Sequence, residues 1–155
     1  MVMFTRLGAG KVSRRLDSVE RYDVDTNTWI EMAPLKMAVT SPAVVATDGC
    51  LYVSGGAVLS DGDGIELVQK YDTKKKKEPF VAPMNERRYR PGVAVSNGKV
   101  YVLGGEEGWD RYHDTIECYD TKLDIWENVG EMPSSRSWLS CVGLTVHLDL
   151  IKEGT

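Results

Sequence analysis

Histidine is scarce: there are two in 155 residues, His113 and His147. They stand far apart, with no cysteine or carboxylate at ligand spacing, which leaves no transition-metal reading. Cysteine is scarce too. Cys50, Cys118 and Cys141 are odd in number, widely spaced and without a C-x-x-C pair. A disulfide framework and a structural zinc are therefore both poor readings. Each lies in an apolar stretch and reads as a buried, reduced thiol. Positive charge is not in surplus: 19 Lys+Arg face 23 Asp+Glu, a formal net charge of -4. A nucleic-acid partner needs a basic surface to neutralise phosphates, so none is expected. No apolar run approaches the ~20 residues of a bilayer span. Met1 to Lys11 lacks the apolar core of a signal peptide, so the expectation is a cytoplasmic chain without membrane contact. Gly-x-Ser-x-Gly, Walker, dinucleotide and His-Glu-x-x-His motifs are all missing. The chain is read as a non-enzyme with no cofactor.

What the sequence does have is a repeat. Tyr22-Asp23, Tyr71-Asp72 and Tyr119-Asp120 recur at spacings of 49 and 48 residues. Seven residues after each tyrosine stand Trp29, Glu78 and Trp126; thirteen after stand Leu35, Met84 and Met132. Gly55-Gly56 follows Leu51-Tyr52-Val53, and Gly104-Gly105 follows Tyr101-Val102-Leu103; the matching place in the first copy reads Leu7-Gly8. A period of this length marks a stacked or radial repeat architecture.

Within each copy the pattern is β. Pro42 to Val53 and Pro91 to Leu103 each read as two apolar strands, joined by Thr47-Asp48-Gly49 and Ser96-Asn97-Gly98. Asp-Gly and Asn-Gly between apolar runs signal a tight hairpin because that turn needs positive φ. A third strand is expected over Ser18 to Tyr22, Glu66 to Tyr71 and Thr115 to Tyr119, and a fourth around the Trp position. Asp after the tyrosine can bond its own backbone and close the turn. Glycine at strand ends allows close backbone approach, and Tyr and Trp bury large area between sheets that cannot cover both faces alone.

The run Tyr101 to Gly105, then Thr115 to Asp120, Trp126, and Met132-Pro133-Ser134-Ser135-Arg136 resembles a kelch repeat. The Glu-x-Tyr-Asp form and the Arg after Met-Pro look most like the BTB-kelch, or Kelch-like, proteins. The resemblance implies an all-β fold: a partial kelch β-propeller of about three four-stranded antiparallel blades plus a terminal strand at Arg136 to Val146. The expected organisation is one incomplete propeller over 1–155, with repeats near 3–50, 51–99 and 100–146 and a tail at 147–155. In that family the propeller usually has six blades, its terminal strand completes the first blade, and it recognises substrates for a cullin-3 ubiquitin ligase. Three copies are too few to close a ring of about four to eight blades, and the stretch before Ser18 is too short for a BTB or BACK domain. The chain therefore resembles the C-terminal half of such a propeller, as a fragment or short isoform. Bare end faces would favour marginal stability or pairing with another half-propeller.

The implied function is protein–protein interaction, capture of a protein substrate or peptide segment as in a cullin-3 adaptor, without a BTB domain in this chain. The alternative is a cytoskeletal, actin-associated kelch scaffold. A copper-oxidase propeller would need several His and Tyr ligands. Partner contacts are expected on the loops joining second to third strands and fourth to next first strands. Arg88 and Arg136 share one position, 17 residues after their tyrosines, where the first copy has Val39. In some family members that Arg, with side chains just after the Gly-Gly pair, binds acidic peptides. The candidates carried over are Arg88, Arg136, Glu106 and Trp109, with Ala57 less sure; Arg111, Ser137 and Trp138 lie in the same loops. Arg presents a planar fork to carboxylates and Trp adds stacking area. The competing reading is that these arginines bond carbonyls or acids across blades. Gly55, Gly56, Gly104, Gly105, Tyr22, Tyr71, Tyr119, Trp29 and Trp126 are assigned to structure. Lys74 to Lys77 reads as a solvated turn. Asp61-Gly62-Asp63-Gly64 lacks the further ligands of a calcium loop.

Overall fold

The computed structural model describes residues 4–7, 17–58, 63–73 and 80–144, the first four by backbone alone. Strands β1 (Phe4–Leu7), β2 (Val19–Asp23) and β3 (Thr28–Glu31) form one antiparallel sheet. β4 (Ala43–Thr47), β5 (Cys50–Ser54) and β6 (Val68–Asp72) form the second. β7 (Gly92–Ser96), β8 (Lys99–Leu103), β11 (Thr115–Asp120) and β12 (Ile125–Glu131) form the third, with β9 (Glu106–Gly108) and β10 (Arg111–Tyr112) as a small hairpin between β8 and β11. We call the strands of a blade a to d from the axis outward. β4 and β7 are then innermost strands, and they pack against each other. The chain is a three-blade arc of a β-propeller.

Local chemistry sets each turn. Asp48-Gly49 and Asn97-Gly98 all have positive φ, 51° to 74°, as a two-residue hairpin of this twist requires. Asp23 Oδ1 accepts the amides of Asp25 and Thr26, and Asp120 Oδ1 those of Lys122 and Leu123. The Lys122 amide, then the Lys99 ammonium and the Leu123 amide, hold the Asp120 carboxyl below its usual range. Gly55, Gly56, Gly104 and Gly105 have φ of 65°, 92°, 59° and 91°. A Cβ on Gly55 would lie 2.2 Å from the Arg88 carbonyl, and one on Gly104 2.5 Å from that of Arg136. The glycine pair is thus required where the returning d–a segment crosses its own blade.

Burial follows strand periodicity. β5 is buried along its whole length. Its alternate side chains serve two cores: Leu51 and Val53 join Val19, Leu35, Val39 and Tyr71 between blades 1 and 2, while Cys50 and Tyr52 join Met84, Val100, Val102 and Tyr119 between blades 2 and 3. Tyr119 sits 5.8 Å from Tyr52 and 5.0 Å from Trp126, centroid to centroid. Its hydroxyl donates to Asp124 Oδ1 at 2.7 Å, and burial, then that carboxylate, raises its pKa. Trp126 Nε1 donates to the Ala82 carbonyl of blade 2.

Three expectations change. Blade 1 contributes three strands, b to d, because β1 pairs with β2 and no a strand precedes it among the described residues. Among the described residues the d strand of blade 2 is represented by one bridge, Gln69 to Phe80; Glu78 and Lys74 to Lys77 lie outside the described residues. The segment after Glu131 holds no strand as far as Leu144. A strand needs a hydrogen-bonded neighbour, and residues 139–144 have none among the described residues. They run beside β7 instead: Cβ atoms on Gly92 and Gly143 would lie 2.3 Å from Cys141 Sγ and 2.6 Å from the Val95 carbonyl. Cys50 and Cys118 are buried, Cys141 is half-buried, and none of the three is in a disulfide among the described residues.

Candidate functional site

Loops b–c and d–a emerge on one side of the arc, and backbone bonds tie them together. Tyr89 and Glu106 exchange both amide–carbonyl bonds, at 2.7 and 2.9 Å. The residue 19 after each repeat tyrosine is left-handed in all three copies: Ser41, Arg90 and Trp138, with φ of 48°, 53° and 58°. That turn lets the chain drop from the outer strand to the axis. It also links the copies, since Arg90 N donates to Ser41 O and Trp138 N to Arg90 O. The three residues, with Pro42, Pro91 and Leu139, line an open groove of about 200 Å³ at the axial mouth.

Arg90 is the centre of this groove. Its guanidinium lies 4.1 Å from the Tyr89 ring and 3.9 Å from the Trp138 ring, and Nη1 pairs with Glu106 Oε1 at 3.0 Å. Its buried Nε has no hydrogen-bond partner. Trp138 remains 72% exposed. Beyond it the β9–β10 hairpin carries Trp109, 85% exposed, and the half-exposed Tyr112. Arg111 pairs with Glu107 at 2.9 Å while staying largely in solvent. Two tryptophans, a tyrosine and two arginines therefore surround the loop face. Such surfaces favour contact with a protein segment, because rigid aromatics bury large area at low entropic cost.

The candidates separate sharply. Trp109, Arg111 and Trp138 are exposed on this face; Ser137 is half-buried beside Trp138. Glu106 is 8% exposed and committed to Arg90, so it orients the arginine rather than meeting a partner. Ala57 is fully buried and bonded through its backbone to Thr40. Arg88 is a correction: it is 0% exposed. Its carbonyl accepts from Gly56 N in its own blade, and its side chain crosses into blade 3. There Nε and Nη2 bond Glu117 Oε1 at 3.1 and 3.0 Å, Nη1 bonds the carbonyls of Gly104 and Thr115, and Nη2 also reaches Thr115 Oγ1 and Glu86 Oε2. Glu117, 1% exposed, also accepts from Asn85 N and Glu86 N. Arg88 is a stitch between blades. Arg136 has the same backbone anchor, its carbonyl accepting from Gly105 N, yet its side chain is exposed and, among the described residues, bonds Ser134 Oγ alone. Arg90 is the functional residue that the shared Arg88 and Arg136 position does not reveal. The signal for it was the third residue of the Arg-Tyr-Arg run, aligned with Trp138.

Among the described residues no three His, Cys, Asp or Glu side chains gather as a metal-holding group, and no helix is long and apolar enough to cross a membrane.

The Kelch motif model matches residues 8–36 and 87–133. The middle copy, with Glu78 at the Trp position, falls between them. Kelch-like protein 35 of Mus musculus is 38% identical over 121 residues, 78% of this chain and 20% of that protein. Kelch-like protein 40 of Xenopus laevis is 36% identical over 131 residues, 83% of this chain and 21% of that protein. The chain thus spans about a fifth of the length of these curated relatives. Among solved structures, that of YjhT superposes with a TM-score of 0.68 at 15% identity, over 81% of this chain and 42% of that one; the likeness is one of fold.

Proposed function

Because this chain belongs to the kelch-repeat proteins, we propose that it is a protein-interaction module that captures a partner segment on its loop face. It does so without covalent chemistry. Trp138 and Trp109 supply the buried area, Arg111 supplies a cation, and Arg90, held flat by Tyr89 and Glu106, offers a pre-oriented donor. The exposure of Trp138 beside the fixed Arg90, and of Trp109 on the β9–β10 hairpin, carries the reading, since exposed aromatics on a rigid scaffold favour partner contact over solvent. The relationship to the Kelch-like proteins supports the finer reading: substrate recognition of the kind that serves a cullin-3 ubiquitin ligase, in the cytoplasm. Arg88, Glu106 and Ala57 support the scaffold in this reading and do not touch the partner.

The test is affinity capture from cell extract with the intact chain and with Trp109→Ala/Trp138→Ala. The double variant keeps the core and should lose the proteins retained by the intact chain by at least about tenfold. Equal retention would reject this face. Ubiquitin-ligase substrates among the lost proteins support the finer reading; actin filaments among them favour a cytoskeletal scaffold.

A further inference from the structure

The junction between blades 2 and 3 is made from two sets of side chains. Blade 2 presents Tyr52, Met84 and Arg88; blade 3 presents Glu117, Tyr119 and Trp126. By repeat register the outer face of blade 3 presents Tyr101, Met132 and Arg136. The outer face of blade 1 presents Glu20, Tyr22 and Trp29, since Val19 pairs with Leu7 as Ile116 pairs with Leu103. The two free faces of the arc are therefore the two halves of the junction already built between blades 2 and 3. They do not match the junction between blades 1 and 2, where Val39 stands for the arginine and Gln69 for the glutamate.

Their state fits halves without partners. Arg136 keeps the backbone anchor of Arg88 but no acid. No ion pair involving Glu20 occurs among the described residues, and Ser18 stands where Thr115 receives Arg88. Trp29 is 50% exposed although it stacks on Tyr22 at 5.2 Å, as Trp126 does on Tyr119. The backbone agrees. Residues 139–144 lie where an a strand belongs, hung from Arg90 by Trp138 N, and among the described residues no strand pairs with the inner edge of β1. A three-blade arc cannot bring its own ends together, whereas two arcs make six blades, within the usual range of about four to eight.

We propose that the occupant of these faces is a second copy of this chain. Two copies close head to tail about a twofold axis into a six-bladed ring. Arg136 of each enters the Glu20 site of the other, and each 139–144 segment adds to the other's β1. The proposal does not rest on the loop-face reading above, because Arg136 and Glu20 carry no part of that reading.

Analytical ultracentrifugation of the 155-residue chain should show a dimer at tens of micromolar. Arg136→Glu and Glu20→Arg should each raise the dimer dissociation constant at least about a hundredfold, since like charges then meet at a closed junction. A one-to-one mixture of the two variants should recover the dimer, because both junctions then pair opposite charges; this recovery also shows that each variant folds. A wild-type chain that stays monomeric, as it would if a longer polypeptide supplied the missing neighbour, overturns the proposal. So does a single variant that dimerises like wild type, or a mixture that fails to recover.

Discussion

The two internal junctions of the arc solve one packing problem with opposite chemistry. Between blades 1 and 2 the crossing side chain is Val39, buried among Leu51, Val53 and Tyr71, and the facing amide Gln69 bonds Met37 N and O at 2.9 and 3.1 Å. Between blades 2 and 3 the crossing side chain is Arg88, and the facing group is the buried carboxylate Glu117. Both arrangements bond backbone groups at the crossing, Met37 N and O in one and Asn85 N, Glu86 N and the Gly104 and Thr115 carbonyls in the other; only one places charge where side chains are buried. Equal geometry with unequal charge shows that the repeat fixes where a side chain crosses and leaves open what crosses. A buried ion pair adds little net stability over an apolar isostere, but it penalises a mismatched partner heavily. Junction 2–3 is therefore the selective one.

Breaking that pair should give the largest effect. Arg88→Ala leaves Glu117 charged, buried and short of donors, which costs about 3–5 kcal/mol, read as a lowered urea midpoint with unchanged slope. Arg88→Val with Glu117→Gln copies junction 1–2 into junction 2–3 and should recover more than half of the loss. A double variant as unstable as the single would mean that the two junctions are not interchangeable.

Methionine at the repeat position after the Trp sharpens the contrast between covered and bare faces. Met84 is 3% exposed between blades 2 and 3, so Met84→Ala should cost about 2–5 kcal/mol by truncation of a filled core. Met132 is only half-buried on the outer face of blade 3. Met132→Ala should cost under about 1 kcal/mol in dilute solution and more where the chain dimerises. Equal costs in dilute solution would mean that the outer face is already covered. The tryptophans give a smaller version. Trp126→Phe removes the Nε1 bond to Ala82 and should cost about 1 kcal/mol, whereas Trp29→Phe should leave the dilute chain unmoved.

Much of this was legible because the repeat markers each have a backbone cause. The Asp-Gly and Asn-Gly turns, the glycine pairs and the Tyr-Asp corners are positions where only a few residue types fit, so they survive as sequence signals. The fate of the arginines was not legible. Arg88 and Arg136 occupy one repeat position with one backbone anchor, and only the presence or absence of a following blade buries one and exposes the other. Periodicity reports the position and is silent on the neighbour. The terminal segment hid for the same reason: residues 139–144 have the apolar character of an inner strand, yet pairing depends on an edge that three blades do not offer. Arg90 was hidden by its left-handed turn, which no residue-type preference marks, since Ser, Arg and Trp share it.

The smallest expected contrast is electrostatic, and it compares the corner of blade 3 with that of blade 1. Asp124 and Asn27 occupy the same left-handed position, with φ of 56° and 53°. Asp124 Oδ1 accepts Ala82 N at 2.8 Å and Tyr119 OH at 2.7 Å. Those bonds, the amide first, hold its carboxyl below the usual carboxylate range. The folded state therefore favours the ionised form. Its contribution is present above the ordinary carboxylate pKa of about 4 and is lost as pH falls through the lower folded value. Asn27 accepts from Tyr22 without a charge. Asp124→Asn gives blade 3 the residue of blade 1 and should flatten the decline of the melting temperature between neutral pH and about pH 3, with only a modest loss at neutral pH because the site is exposed. Parallel declines in wild type and variant would place the acid sensitivity elsewhere, with Asp120, whose carboxyl is also depressed, as the next corner to neutralise.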